Sequence, residues 1–97
     1  MKVFIDTCIP MYAAGREHPL KAGCLEIMRS AASGNLEAYT DTEVFQEILY
    51  RYFSINQRGF GLQLFDSFSQ IMHGVVLPVR HEDMIMARTL ANETCIV

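Results

Sequence analysis

Ninety-seven residues, 51% of them hydrophobic, supply one compact core and not two. A formal net charge of −3 excludes a broad basic surface for nucleic acid, so a polyanionic ligand would need positive charge from elsewhere, such as a metal ion. Three widely spaced cysteines build no disulfide framework and point to a reducing cytoplasm, and no apolar run nears the ~20 residues of a membrane span.

Lys2 to Ile5 is a short apolar run with β-branched and aromatic side chains, which predicts a buried strand. Asp6 and Thr7 end it, and an acid at that position is foreign to a secretory signal. Pro10 suits the start of a short helix through Met11, Tyr12, Ala13 and Ala14, ending at Gly15. A second helix takes Pro19 in its first turn, repeats Leu20, Cys24, Ile27, Met28 and Ala31 at helical spacing, and stops at Gly34. Leu36 to Thr40 predicts a second strand. Thr40-Asp41-Thr42-Glu43 has capping-box spacing, with Thr40 as cap and Glu43 reaching back, before a helix whose apolar face holds Val44, Phe45, Ile48, Leu49 and Tyr52. Ser54 to Gly61 reads as a polar loop with two glycines. Leu64, Phe65, Phe68, Ile71 and Met72 then mark a fourth helix, stopped by Gly74. Val75 to Val79 predicts a third strand, apolar on both faces, with Pro78 near its end. Glu82 and Asp83 open a fifth helix whose expected buried stripe is Met84, Ala87, Leu90 and Ala91.

The order β-αα-β-αα-β-α implies an α/β fold with a parallel sheet and right-handed crossovers. Ligands in such sheets bind beyond the carboxyl ends of the strands. Asp6 stands at that end of the first strand, where a charge is costly unless it is exposed in a cleft or paired. The plainer reading of Asp6 is a cap or turn-former. Glu47 lies on the third helix about one and a half turns past the second strand. If the two strands are neighbours, both carboxylates enter one crevice and suit Mg²⁺ or Mn²⁺, hard cations that favour oxygen ligands. The plainer reading of Glu47 is a surface pair with Arg51, four residues on. Glu43 competes from one turn earlier, but the capping box accounts for it.

Thr7 and Thr42 are candidates to bind a metal water or orient a carboxylate, with turn and capping duties as the alternative. Cys8 and His18 have no spacing that supports a nucleophile and base, so Cys8 reads as a small, partly buried thiol. His73 and His81 flank the third strand without metal-ligand spacing. The aromatic series Tyr50, Tyr52, Phe53, Phe60, Phe65 and Phe68 is dense on two helices, either as core or as a partner surface. A phosphotransferase with an aspartyl nucleophile would need a second Asp where Cys8 stands, which excludes that class.

The chain resembles the PIN domain family, the nucleases that include VapC-type toxins of toxin–antitoxin pairs. The resemblance lies in Met1-Lys2-Val3-Phe4-Ile5-Asp6-Thr7, in Tyr39-Thr40-Asp41-Thr42-Glu43-Val44-Phe45-Gln46-Glu47-Ile48-Leu49, and more weakly in Val76-Leu77-Pro78-Val79 with Glu82-Asp83. It covers essentially the whole chain and selects Glu47 over Glu43. It implies a three-layer α/β/α fold and a Mg²⁺- or Mn²⁺-dependent endoribonuclease with Asp6 and Glu47 as catalytic metal ligands. It also implies RNA as substrate, homo-oligomers and a VapB-like antitoxin as partner.

Family members often carry Asn or Ser where this chain has Cys8, and they continue into an Asp-containing helix, a fourth strand and a further acid. Asp83 sits in the preceding helix and does not match that later Asp. The expectation is therefore a single unit over 1–97 that holds the N-terminal three-strand portion of such a domain. With two matched acids it should bind metal weakly and cleave RNA poorly. The alternative is a catalytically incomplete module for dimerisation or partner binding. Val3, Phe4 and Ile5 would then present a strand edge that recruits another chain, unless the fifth helix or the residues after Asn92 cover it.

Overall fold

The computed structural model describes residues 2–94, with side-chain surroundings through Asn92. Met1 and everything after Thr94 lie outside the described residues, including Cys95 and the last part of the stretch after Asn92 expected as an alternative cover for the first strand. Three strands and five helices follow the expected order: β1 (Val3–Phe4), α1 (Cys8–Ala14), α2 (Lys21–Ser33), β2 (Ala38–Asp41), α3 (Thr42–Ser54), α4 (Arg58–Ile71), β3 (Val76–Leu77) and α5 (His81–Thr94). The strands form one parallel sheet in the order β1-β2-β3, with Val3 beside Ala38 and Thr40 beside Val76.

Strand side chains alternate between the two faces of the sheet. Val3, Ile5, Ala38, Thr40 and Val76 take the helix-covered face, where Ile5 is 1% exposed and Thr40 is fully buried. Phe4, Tyr39 and Leu77 occupy the other face, with the Phe4 and Tyr39 rings 5.3 Å apart. Helices α2, α3 and α4 complete the core with Met28, Phe45, Ile48 and Phe68, joined by Met72 at the C-cap of α4. The aromatic series divides accordingly. Phe45 meets Phe65 and Phe68 at 5.0 and 5.1 Å, while Tyr50 is 75% exposed on the outer face of α3.

Several boundaries differ from those expected. Helix α1 begins at Cys8, so Pro10 sits inside its first turn, where the missing N–H costs no helical bond. Pro19 precedes α2, which starts at Lys21 and ends, as expected, at Gly34 with φ +82°. Thr40 does not cap α3, because the strand runs one residue further. Asp41 is the cap and accepts the Val44 N–H at 3.1 Å, while the Thr40 hydroxyl donates to the Ile5 carbonyl at 2.8 Å. The expected loop to Gly61 shrinks to residues 55–57, with Asn56 left-handed at φ +59°. Gly61 lies inside α4 because a Cβ there would stand 2.6 Å from the Tyr52 Cβ, so only glycine lets α3 and α4 approach. Strand β3 is shorter than Val75–Val79, and Leu77 is 54% exposed, so only one face of it packs among the described residues.

The expected buried stripe of α5 is not buried. Every side chain described from His81 to Asn92 is exposed. Met84, Ile85, Met86, Ala87, Leu90 and Ala91 are spread around the helix axis and do not share one side, so no single face of α5 is apolar. No helix among the described residues is long and apolar enough to cross a membrane.

Candidate active site

The site starts where β1 ends. The Ile5 N–H donates to the Tyr39 carbonyl at 2.8 Å and its carbonyl accepts the Thr40 hydroxyl, which fixes the point where the chain leaves the sheet. The next residue, Asp6, is exposed. Its Oδ1 accepts the Thr7 N–H at 2.7 Å, a local bond that satisfies one of the free donors at the start of α1.

Thr7 is 3% exposed and sits at the cap position of α1, yet its hydroxyl makes no capping bond. It donates instead to Glu47 Oε2 at 2.8 Å, across 40 positions of sequence. One buried residue thus holds both carboxylates, Asp6 through its backbone and Glu47 through its side chain. Covalent geometry then limits the separation of the two bonded oxygens to about 9 Å. Glu47 makes no ion pair with Arg51, since the ion pair among the described residues joins Lys21 to Glu17 at 3.8 Å.

Asp6, Thr7 and Glu47 line a cleft of about 500 Å³ at the carboxyl end of β1. Helix α1 brings Cys8, Met11 and Tyr12 to the same wall, and the turn that follows adds Gly15, Arg16, Glu17 and His18. The sequence pattern places Met11 and Tyr12 in the first helix without a site role, although with Cys8 they share one helical face beside Asp6, and no spacing marks Arg16 or Glu17. The Tyr12 and His18 rings stack at 4.4 Å, and His18 Nδ1 accepts the Leu20 N–H at 3.1 Å. Cys8 lines the cleft as an exposed free thiol.

Glu43 and Thr42 lie elsewhere. Glu43 is exposed in the first turn of α3, where a carboxylate complements the helix dipole. The Thr42 hydroxyl accepts the Val79 N–H at 3.0 Å and ties the residues after β3 to the start of α3. Among the described residues no three His, Cys, Asp or Glu side chains converge as a metal cage. Three carboxylates line the open cleft, and with Glu17 paired to Lys21 at 3.8 Å the oxygens left for a ligand are those of Asp6 and Glu47, a set that suits a hard cation keeping most of its own waters.

No family model matches the chain, and no solved structure matches it. Several curated relatives do, among them the following three. VapC13, a ribonuclease of Mycobacterium tuberculosis, is 37% identical over 86 residues, which is 89% of this chain and 65% of the relative. A VapC ribonuclease of Mycobacterium bovis is similar to the same extent, 37% over 86 residues. Ribonuclease VapC23 of M. tuberculosis is 30% identical over 90 residues, covering 91% of this chain and 68% of the relative. The chain thus spans about two thirds of the length of these relatives. Similarity of this extent, on a parallel α/β fold with an Asp and a Glu lining one cleft at the end of the first strand, places the chain in the VapC-like PIN domain family.

Proposed function

We propose that the chain carries the metal-dependent endoribonuclease site of a VapC-type toxin, with Asp6 and Glu47 holding Mg²⁺ or Mn²⁺ and RNA as substrate. The observation that carries this reading is the pair of hydrogen bonds by which buried Thr7 holds both carboxylates, at 2.7 and 2.8 Å. A bound divalent cation would polarise a phosphoryl oxygen and lower the pKa of water at the site. The chain's own residues supply the rest. Asp6 and Glu47 provide negative oxygens at fixed positions, and Thr7 orients Glu47 by donating to one oxygen while the other stays available. In the hydrolysis a water oxygen bonds to phosphorus and gives its proton to solvent or to a site carboxylate, while the phosphorus–oxygen ester bond breaks and the departing ribose oxygen takes up a proton from solvent to leave as an alcohol.

The test is cleavage of a structured RNA by the purified chain with Mn²⁺. Cleavage should be slow, because two carboxylates hold a hard cation weakly. It should stop with EDTA and in both Asp6→Asn and Glu47→Gln. Cleavage that survives both substitutions would refute the assignment.

A second reading, a module that binds a partner or a second copy of itself without catalysis, is favoured by the exposed apolar side chains Tyr50, Phe53 and Leu62 on α3 and α4. On the VapC-type reading the partners are a VapB-like antitoxin and a second copy of the chain, in the cytoplasm. Sedimentation at micromolar concentration tests the self-association, and a single monomeric species would remove it.

A further inference from the structure

The cleft that holds Asp6 and Glu47 does not end at Arg51. A second cavity, of about 490 Å³, adjoins it and shares Met11, Gly15, Arg16 and Arg51 with it. Its far end is formed by Tyr52, Ile55, Gln57 and Phe60. The two cavities make one groove that runs from the carboxylates, past two arginines, to an aromatic wall.

Both arginines are uncommitted. Among the described residues neither Arg16 nor Arg51 makes an ion pair or a side-chain hydrogen bond, although Arg51 stands one helical turn from Glu47. Other nearby cations are engaged: Lys21 binds the Gly15 carbonyl at 2.7 Å, and the Arg58 guanidinium lies 4.9 Å from the Phe53 ring centroid. The turn that carries Arg16 is a built one. Lys21 ties Gly15 down, and a Cβ at Gly15 would stand 2.9 Å from the Met11 carbonyl oxygen. A chain of net charge −3 thus keeps two free guanidinium groups at the junction of its groove.

We propose that Arg16 and Arg51 grip a backbone phosphate next to the one at the carboxylates, so that a single-stranded RNA crosses the groove with the flanking base against Phe60. This rests on the ribonuclease reading and names the path of the strand. Guanidinium is the group best matched to a phosphate, which it binds through paired N–H donors. Exposed aromatic surface takes a base from any unpaired strand, which favours single-stranded over duplex RNA.

Arg16 and Arg51 are positioning residues here, and their signature is the salt dependence of binding. Affinity for a fluorescent single-stranded RNA octamer is measured by anisotropy between 50 and 200 mM KCl in EDTA. The background is Asp6→Asn, which removes one repulsive carboxylate and any turnover. Each of Arg16→Gln and Arg51→Gln should lower the slope of log K against log salt by about 0.7, and the double variant by about 1.4. Arg29→Gln, exposed on α2 away from the groove, should leave the slope unchanged. An unchanged slope in a folded double variant, an equal drop in Arg29→Gln, or no RNA binding in the background protein would each overturn the proposal. Cleavage by the unmodified chain is scored separately. A slope difference without cleavage would refute the nuclease reading and uphold the RNA path.

Discussion

Replacing Thr7 by Val removes one hydroxyl and keeps the shape of a side chain that is 3% exposed. The lost bond is charge-assisted, 2.8 Å long, and such bonds contribute about 1.5–3 kcal/mol when the partner has no substitute. Glu47 is exposed, so water can replace the hydroxyl and the stability cost falls to ~1 kcal/mol. For a domain of this size that corresponds to a melting shift of about 4–8 °C. The effect on the site should be larger than the effect on the fold. A group that orients a metal-binding carboxylate typically changes metal affinity by about 10–100-fold. Mn²⁺ titration by calorimetry should therefore show roughly tenfold weaker binding in Thr7→Val and near-normal binding in Thr7→Ser, which keeps the donor. Equal Mn²⁺ affinity in Thr7→Val and the unmodified chain would refute the argument that Thr7 holds Glu47 for the metal.

Gly61→Ala should cost about 1–3 kcal/mol, because the new Cβ falls 2.6 Å from the Tyr52 Cβ, whose helix cannot yield without repacking α3 against α4; denaturant unfolding measures it. Burial, reinforced by the charge of Cys8, pushes the Cys24 thiol up, so the folded protein keeps a proton that the unfolded chain releases first. Stability from this source is full below the unfolded thiol pKa of about 8.5 and declines as pH rises above it toward the folded value. Thermal melts from pH 7.5 to 9.5 should show that decline in the unmodified chain and a smaller one in Cys24→Ala.

Much of the fold is legible in the order of apolar periods. The switch from short β-branched runs to helical spacing, repeated along the chain, predicts a parallel sheet with helical crossovers. The stop at Gly34 follows from local chemistry, since its φ of +82° suits glycine. Asp6 is legible as a candidate because a charge after a buried strand is costly wherever the chain folds. Glu47 is legible once it lies on the helix following the neighbouring strand.

The rest depended on neighbours far along the chain. Whether Thr40 or Asp41 caps α3 turned on how far β2 runs beside β3, a pairing 36 positions apart between Thr40 and Val76. Gly59 and Gly61 looked like loop residues, yet both lie in α4, and at Gly61 the reason is contact with Tyr52 on another helix. The apolar residues of α5 suggested a buried stripe, but burial needs a facing surface as well as a pattern, and these side chains are exposed. The Thr7 hydroxyl could have capped its own helix. It bonds Glu47 because the β1–β2 pairing brings the start of α1 within reach of Glu47 on α3, and a short-range hydrogen-bond donor takes whichever acceptor the fold places within about 3 Å.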